Sequence, residues 1–179
     1  AGGCAARGND APARQDGVGT AASAPVRTAS GAPVGAAEAA PVGAADFDWT
    51  VRTLDGERIS FAAFRGRVLF INVWASWCPP CVAELAGIER LRASLADTDV
   101  AFILLSPEDP APVERFLAAY GYRSLPVYLE HDPVPDAFGL EALPTTYIVD
   151  RSGAIVLRHR GAADWDRPEV GDFLRALAG

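Results

Sequence analysis

The apolar positions divide the chain in two. Residues 1–45 are nearly all Ala, Gly, Pro, Ser and short polar residues, and no aromatic residue precedes Phe47. Such a stretch has too little apolar surface to offset the entropy lost on ordering, and it reads as a disordered tether. Residues 46–179 hold every aromatic side chain and almost every Leu and Ile, which suits one domain with its own core. Within it, Phe47 to Arg52 alternates as a strand, Leu54-Asp55-Gly56 is a turn, and Glu57-Arg58-Ile59 returns as the second arm of a hairpin. Ser60 is placed to cap a helical turn through Phe64, closed by Gly66. The run Val68 to Trp74 is apolar with one polar break, as in a strand covered on both faces. Val82, Leu85, Ile88, Leu91 and Leu95 then recur at helical spacing. Val100 to Leu105 predicts a second buried strand. Pro112 to Tyr120 predicts a helix stopped by Gly121. Leu125–Leu129 and Thr145–Val149 predict further strands, the latter turning through Arg151-Ser152-Gly153 into Ala154–Arg158. Asp166 is placed to cap a last helix, with Pro168 in its first turn and Val170, Phe173, Leu174 and Leu177 facing inward. Strands alternating with helices, closed by a hairpin, predict an α/β fold around a mixed central sheet flanked by helices, with an extra N-terminal β-hairpin.

Charge narrows the classes of partner. All sixteen basic residues are Arg, twenty-three residues are acidic, and the net charge is −7. In residues 1–45 Arg7, Arg14 and Arg27 balance Asp10, Asp16 and Glu38, so the acidic excess belongs to the domain. An acidic domain without a basic stripe argues against a nucleic-acid partner. No stretch approaches the roughly 20 apolar residues of a membrane-spanning helix. The chain opens at Ala1 without Met, as it does when a targeting segment has been removed or left out.

The three cysteines fall in two settings. Cys4 is alone, and Ala1-Gly2-Gly3 before it are small, as at a bacterial lipid-attachment site; the Leu usual three places before such a Cys is Ala1 here. Lipidation at Cys4 predicts a membrane-surface protein, and about 40 flexible residues give the domain an r.m.s. reach of about 35 Å. The alternative is an unmodified Cys in an Ala/Gly-rich leader.

Cys78 and Cys81 lie in Trp77-Cys78-Pro79-Pro80-Cys81, between a buried strand and a helix. The thiolate is the reactive form, and a free thiol with a pKa of about 8.5 is mostly protonated near neutrality. Helix N-terminal N–H groups and the helix dipole favour the anion. Cys78, at the helix start, is the expected attacking thiol; Cys81, one turn in, is expected to resolve the mixed disulfide. Pro79 and Pro80 suit a helix start, where a missing N–H costs little, and they stiffen the loop. A structural disulfide or half of a zinc site are the competing readings. Zinc usually needs four N or S ligands, and only His131 and His159 remain to supply them.

From Val73 to Glu84 the chain resembles the active-site segment of the TlpA/ResA family of thioredoxin-like proteins, and the likeness runs from about Phe47 to the C-terminus. The resemblance implies a thioredoxin-like fold and an extracytoplasmic thiol–disulfide oxidoreductase, whose only redox group is the Cys78–Cys81 pair, with no further cofactor and no metal. It implies cysteine-containing protein substrates, a membrane thiol electron donor, a monomer, and service in cytochrome c maturation or metal-centre assembly. Leu143-Pro144-Thr145-Thr146 resembles the family's cis-proline segment, which faces the cysteines, so Leu143 and Pro144 are expected to touch substrate. Asn72 stands where cytoplasmic thioredoxins carry a buried Asp. Glu84 matches a characteristic Glu of the family; three residues after Cys81 it shares that helix face, and it is expected to tune the buried thiol and relay its proton. Trp77 is expected to line the site. Ala86 replaces a Pro common in relatives, so the helix is expected to lack a kink. Asp164, Trp165 and Asp166 read as helix-entry structure without chemistry. Two other functions compete. A thiol peroxidase of the same fold needs Thr or Ser three residues before its Cys, where Ala75 stands. A copper-delivery module typically adds His and Met, and the chain has no Met.

Overall fold

The computed structural model describes Ala1, Val26–Arg27, Pro33–Val34 and residues 41–179. Cys4 and most of the expected tether lie outside the described residues. Within residues 1–45, β1 (Val26–Arg27) pairs antiparallel with β2 (Pro33–Val34), and β3 (Gly43–Ala44) lies on the edge of the main sheet. The remaining strands are β4 (Thr50–Thr53), β5 (Arg58–Ser60), β6 (Val68–Val73), β7 (Val100–Ser106), β8 (Val127–Glu130), β9 (Thr145–Val149) and β10 (Ala154–Arg160). The helices are α1 (Pro79–Ser94), α2 (Pro110–Tyr120) and α3 (Pro168–Ala178). The main sheet runs β3-β10-β9-β6-β7-β8-β4-β5. β6, β7 and β8 are parallel neighbours, whereas β9 runs antiparallel to β6 and β4 antiparallel to β8. The sheet is therefore mixed, and the N-terminal hairpin β4–β5 forms its far edge.

β6 is buried along its whole length because both faces of the sheet are covered. Its side chains alternate between faces. Val68, Phe70 and Trp74 meet Cys81, Leu85 and Ile88 of α1, together with Val113 of α2 and Leu174 of α3. Leu69, Ile71 and Val73 join a second cluster with Phe47, Trp49, Phe61, Phe64 and Phe138. All three helices thus pack on one side. The other side is sealed by aromatic residues on the N-terminal segment and on two 3-10 turns, Phe61–Phe64 and Asp136–Phe138. Period-two alternation places Asn72 on the helical side with Phe70 and Trp74, where α1 can reach it.

Some local expectations change. α3 begins after Arg167, and the Asp166 carboxylate does not cap it; it accepts from Arg90 Nε on α1 at 2.6 Å. Ser60 precedes the first 3-10 turn but its side chain makes no capping bond. α2 starts at Pro110, two residues early, because two prolines fit in its first turn. Gly121 ends it with φ +77°, a conformation suited to Gly. α1 runs as one helix through Ala86.

Candidate active site

After β6 the chain is tied down before it reaches the cysteines. The Trp74 N–H donates to Leu105 O at 3.0 Å, extending the ladder by one residue. Ser76 donates its backbone N–H and its hydroxyl to Glu108, at 2.6 and 2.8 Å. The Cys78 N–H donates to Ala75 O at 3.1 Å, and Cys78 becomes the residue that precedes α1, with Pro79 and Pro80 opening the helix. Pro79 and Pro80 carry no N–H, so the first turn keeps only the Cys81 and Val82 donors, and the Val82 N–H donates to the Cys78 carbonyl at 3.1 Å. Cys78 and Cys81 are joined by a disulfide with a Cα–Cα separation of 5.3 Å. Cys78 is 5% exposed and Cys81 fully buried, so Cys78 is the sulfur that another molecule reaches first. Trp77 stands out into solvent at 68% exposure. It borders a groove of about 410 Å³ shared with Pro79, Val82, Phe116 and Tyr120.

The Leu143–Pro144 peptide is cis. Thr145 pairs with Val73 across β9 and β6, which brings Pro144 to the same end of the sheet as the Trp77–Cys78 loop. The Pro144 carbonyl accepts from the Gly161 N–H at 2.8 Å. Leu143 is half-buried and packs against both apolar clusters.

Glu84 is inside the protein, 5% exposed, beneath the helical face that carries Cys81. Asn72 Nδ2 donates to its Oε1 at 2.7 Å. The Ala163 N–H and the Trp165 indole N–H both donate to its Oε2, at 3.0 and 2.8 Å. Burial pushes the Glu84 carboxyl up to about 7, against these three donors, which favour the anion. A carboxyl poised there takes and releases protons near neutral pH. A cleft of about 230 Å³ between Ala83 and Ala162–Asp164 reaches Glu84 from the surface. Trp165 thus has a part that its sequence position does not reveal: it holds the carboxylate, besides meeting Phe70 edge-on at 5.3 Å. His159 meets the same indole edge-on at 5.6 Å, and burial lowers its pKa. The sequence reading does not name Glu108 or Ala163, and it gives Thr146 and Trp165 no part in the cage, because the partners that define these roles (Ser76 for Glu108, Asn72 for Thr146, Glu84 for Ala163 and Trp165) lie at least 30 residues away. Among the described residues, no three His, Cys, Asp or Glu side chains come together as a metal site.

The Redoxin family model matches residues 33–177. The chain belongs to the Redoxin family. Among curated proteins, this redoxin is 33% identical over 116 residues to the thiol-disulfide oxidoreductase ResA of Halalkalibacterium halodurans, covering 64% of the chain and 65% of that relative. The chain thus spans less than two thirds of that protein's length. It is 31% identical over 116 residues to the thioredoxin-like protein YneN of Bacillus subtilis, covering 64% of the chain and 68% of the relative. Among solved structures it is similar to a thiol:disulfide interchange protein of the thioredoxin family from Chlorobium tepidum. That match has a TM-score of 0.61 and 27% identity, over 77% of this chain and 99% of the other. The fold is therefore thioredoxin-like.

Proposed function

We propose that this redoxin is a thiol–disulfide oxidoreductase that reduces disulfides of protein substrates. The observation that carries the reading is the Cys78–Cys81 disulfide at the start of α1, on the same helix as a buried carboxyl with a pKa of about 7. In the reduced protein the Cys78 thiolate attacks a substrate disulfide, forming a Cys78–substrate bond and releasing one substrate thiolate. Cys81 loses its proton to Glu84 and attacks the Cys78 sulfur. The mixed bond breaks, the second substrate thiolate leaves, and the Cys78–Cys81 disulfide remains. Two electrons pass from the dithiol to the substrate, and both substrate thiolates take up protons.

The work is done outside the cytoplasm, with electrons from a membrane thiol donor, in cytochrome c maturation or metal-centre assembly. The domain acts as a monomer, held at a membrane surface through lipid on Cys4. The resemblance of the Val73–Glu84 segment supports the first part of this reading, and the small residues before Cys4 with the long Ala/Gly/Pro segment after it support the anchor. Mass spectrometry of the membrane fraction tests the anchor, and a mature chain that starts beyond Cys4 refutes it.

The exchange reaction is tested with Cys81→Ser. Its Cys78 should remain covalently joined to substrate, visible as an adduct on a non-reducing gel, whereas Cys78→Ser should form none. A reduction potential near that of thioredoxin, about −270 mV, fits a reductase; a value near −120 mV reverses the direction.

A further inference from the structure

Three hydrogen-bond donors surround Glu84, and an ionised carboxylate only accepts. Once it gains a proton it also donates, and it then needs an acceptor. The Ala163 N–H and the Trp165 indole cannot change roles. Asn72 can. Its Nδ2 gives one proton to Glu84 Oε1 and the other to Thr146 Oγ1 at 2.9 Å, while its Oδ1 is buried with no hydrogen-bond partner. A half-turn about the last side-chain bond of Asn exchanges oxygen and nitrogen with almost no change in shape.

We propose that Asn72 is a positioning residue whose amide turns over when Glu84 takes up a proton, so that its oxygen accepts from the new carboxyl O–H. The inference rests on the reading of Glu84 as the proton holder. In the turned state the Thr146 hydroxyl, which now accepts from Nδ2, donates to Oδ1 instead; a hydroxyl proton rotates to suit either role. Both states occupy the same volume, so the packed core need not move; the turned Nδ2 takes the buried place where Oδ1 has no hydrogen-bond partner, and the new carboxyl O–H to Oδ1 bond has to outweigh that cost. The proton passes between the Cys81 thiol and Glu84: an S–H bond breaks, an O–H bond forms, and no electrons transfer. Asn72 carries no proton and follows the change. An Asp at this position adds a second negative charge beside Glu84. An apolar residue leaves the carboxyl proton with no acceptor, at a cost of the order of that of any buried unsatisfied polar group.

The titratable neighbours are Cys81 one turn earlier on α1, Asp164 at the wall of the Glu84 cleft, and His159 behind the Trp165 ring. The disulfide form takes the cysteines out of the titration. In that form of the full chain, NMR follows the Glu84 carboxyl carbon and the Asn72 side-chain amide from pH 5 to 9. Both signals should shift together with a midpoint of about 7, and the contacts of the Asn72 amide protons with Thr146 should weaken below it. A carboxyl that titrates while those contacts stay constant overturns the proposal. So does loss of the Asn72 transition in Asp164→Asn or His159→Gln while Glu84 still titrates.

Glu84→Gln supplies a second arm that does not depend on pH. The Ala163 and Trp165 donors hold the Gln oxygen, so its NH₂ group faces Asn72. The Asn72 amide should then be turned at every pH; the orientation seen with Glu84 overturns the proposal. If the Glu84 carbon does not titrate in this range, the proton-holder reading fails, and the Gln variant still decides whether the amide turns.

Discussion

At the scale of residues, the site's chemistry depends on how strongly burial opposes the charge on Glu84. The folded state holds a proton on this group up to about pH 7, whereas the unfolded chain releases it near 4.5. Between those values the folded state binds more protons, so stability falls as the pH rises. The contribution is complete below about pH 4.5 and lost as the pH passes 7, a change of about 3 kcal/mol. Glu84→Gln should lack this slope. Urea unfolding of the oxidised protein at pH 5 and pH 8 measures it as the difference between variant and parent. Trp165→Phe removes a donor that favours the anion, and hydrogen bonds to charged groups contribute about 1.5–3 kcal/mol. The Glu84 pKa should therefore rise by about one to two units, read from its carboxyl carbon. The cysteines and Glu84 are legible in the sequence because one helix carries them at fixed spacing. Trp165 and Ala163 are not, since they reach Glu84 from 81 and 79 residues away. Asp166 has the right residue type for a helix cap, yet a cation on the neighbouring helix claims it.

At the scale of elements, periodicity locates β6, β7, α1 and α2 well, because each buries a regular stripe or a continuous run. The second face of the sheet is harder to foresee. It is covered by aromatic residues from separate short segments. Phe61 is fully buried and its ring lies 4.5–5.8 Å from those of Phe47, Trp49, Phe64 and Phe138. Phe61→Ala should cost about 3–5 kcal/mol in urea unfolding, as large-to-small core changes do. The exchange rate per folded molecule should not change, because this cluster lies across the sheet from Cys78 and Cys81. The turn Asp136–Phe138 has no pattern of its own; Phe138 is recruited by the cavity that Trp49, Phe61 and Tyr147 leave.

At the scale of the whole molecule, the net charge of −7 gives the domain a field that attracts cations. Of two disulfide peptides that differ only in flanking charge, the basic one should be reduced several-fold faster at low salt, and the gap should close as salt rises. Stopped-flow kinetics over a salt series reads this. The order of elements, the strand–CxxC–helix centre and the acidic balance were determined by the sequence alone. Local periodicity and helix-start chemistry act over a few residues, and charge is a sum over the chain. Sheet order, the two-sided core and the cage around Glu84 were decided only by the tertiary structure. Each joins residues far apart in the chain, and neither residue of such a pair shows the other in its own neighbourhood. The same holds for Asn72: the sequence shows an amide, and only packing shows that its oxygen faces no donor while its nitrogen serves two acceptors.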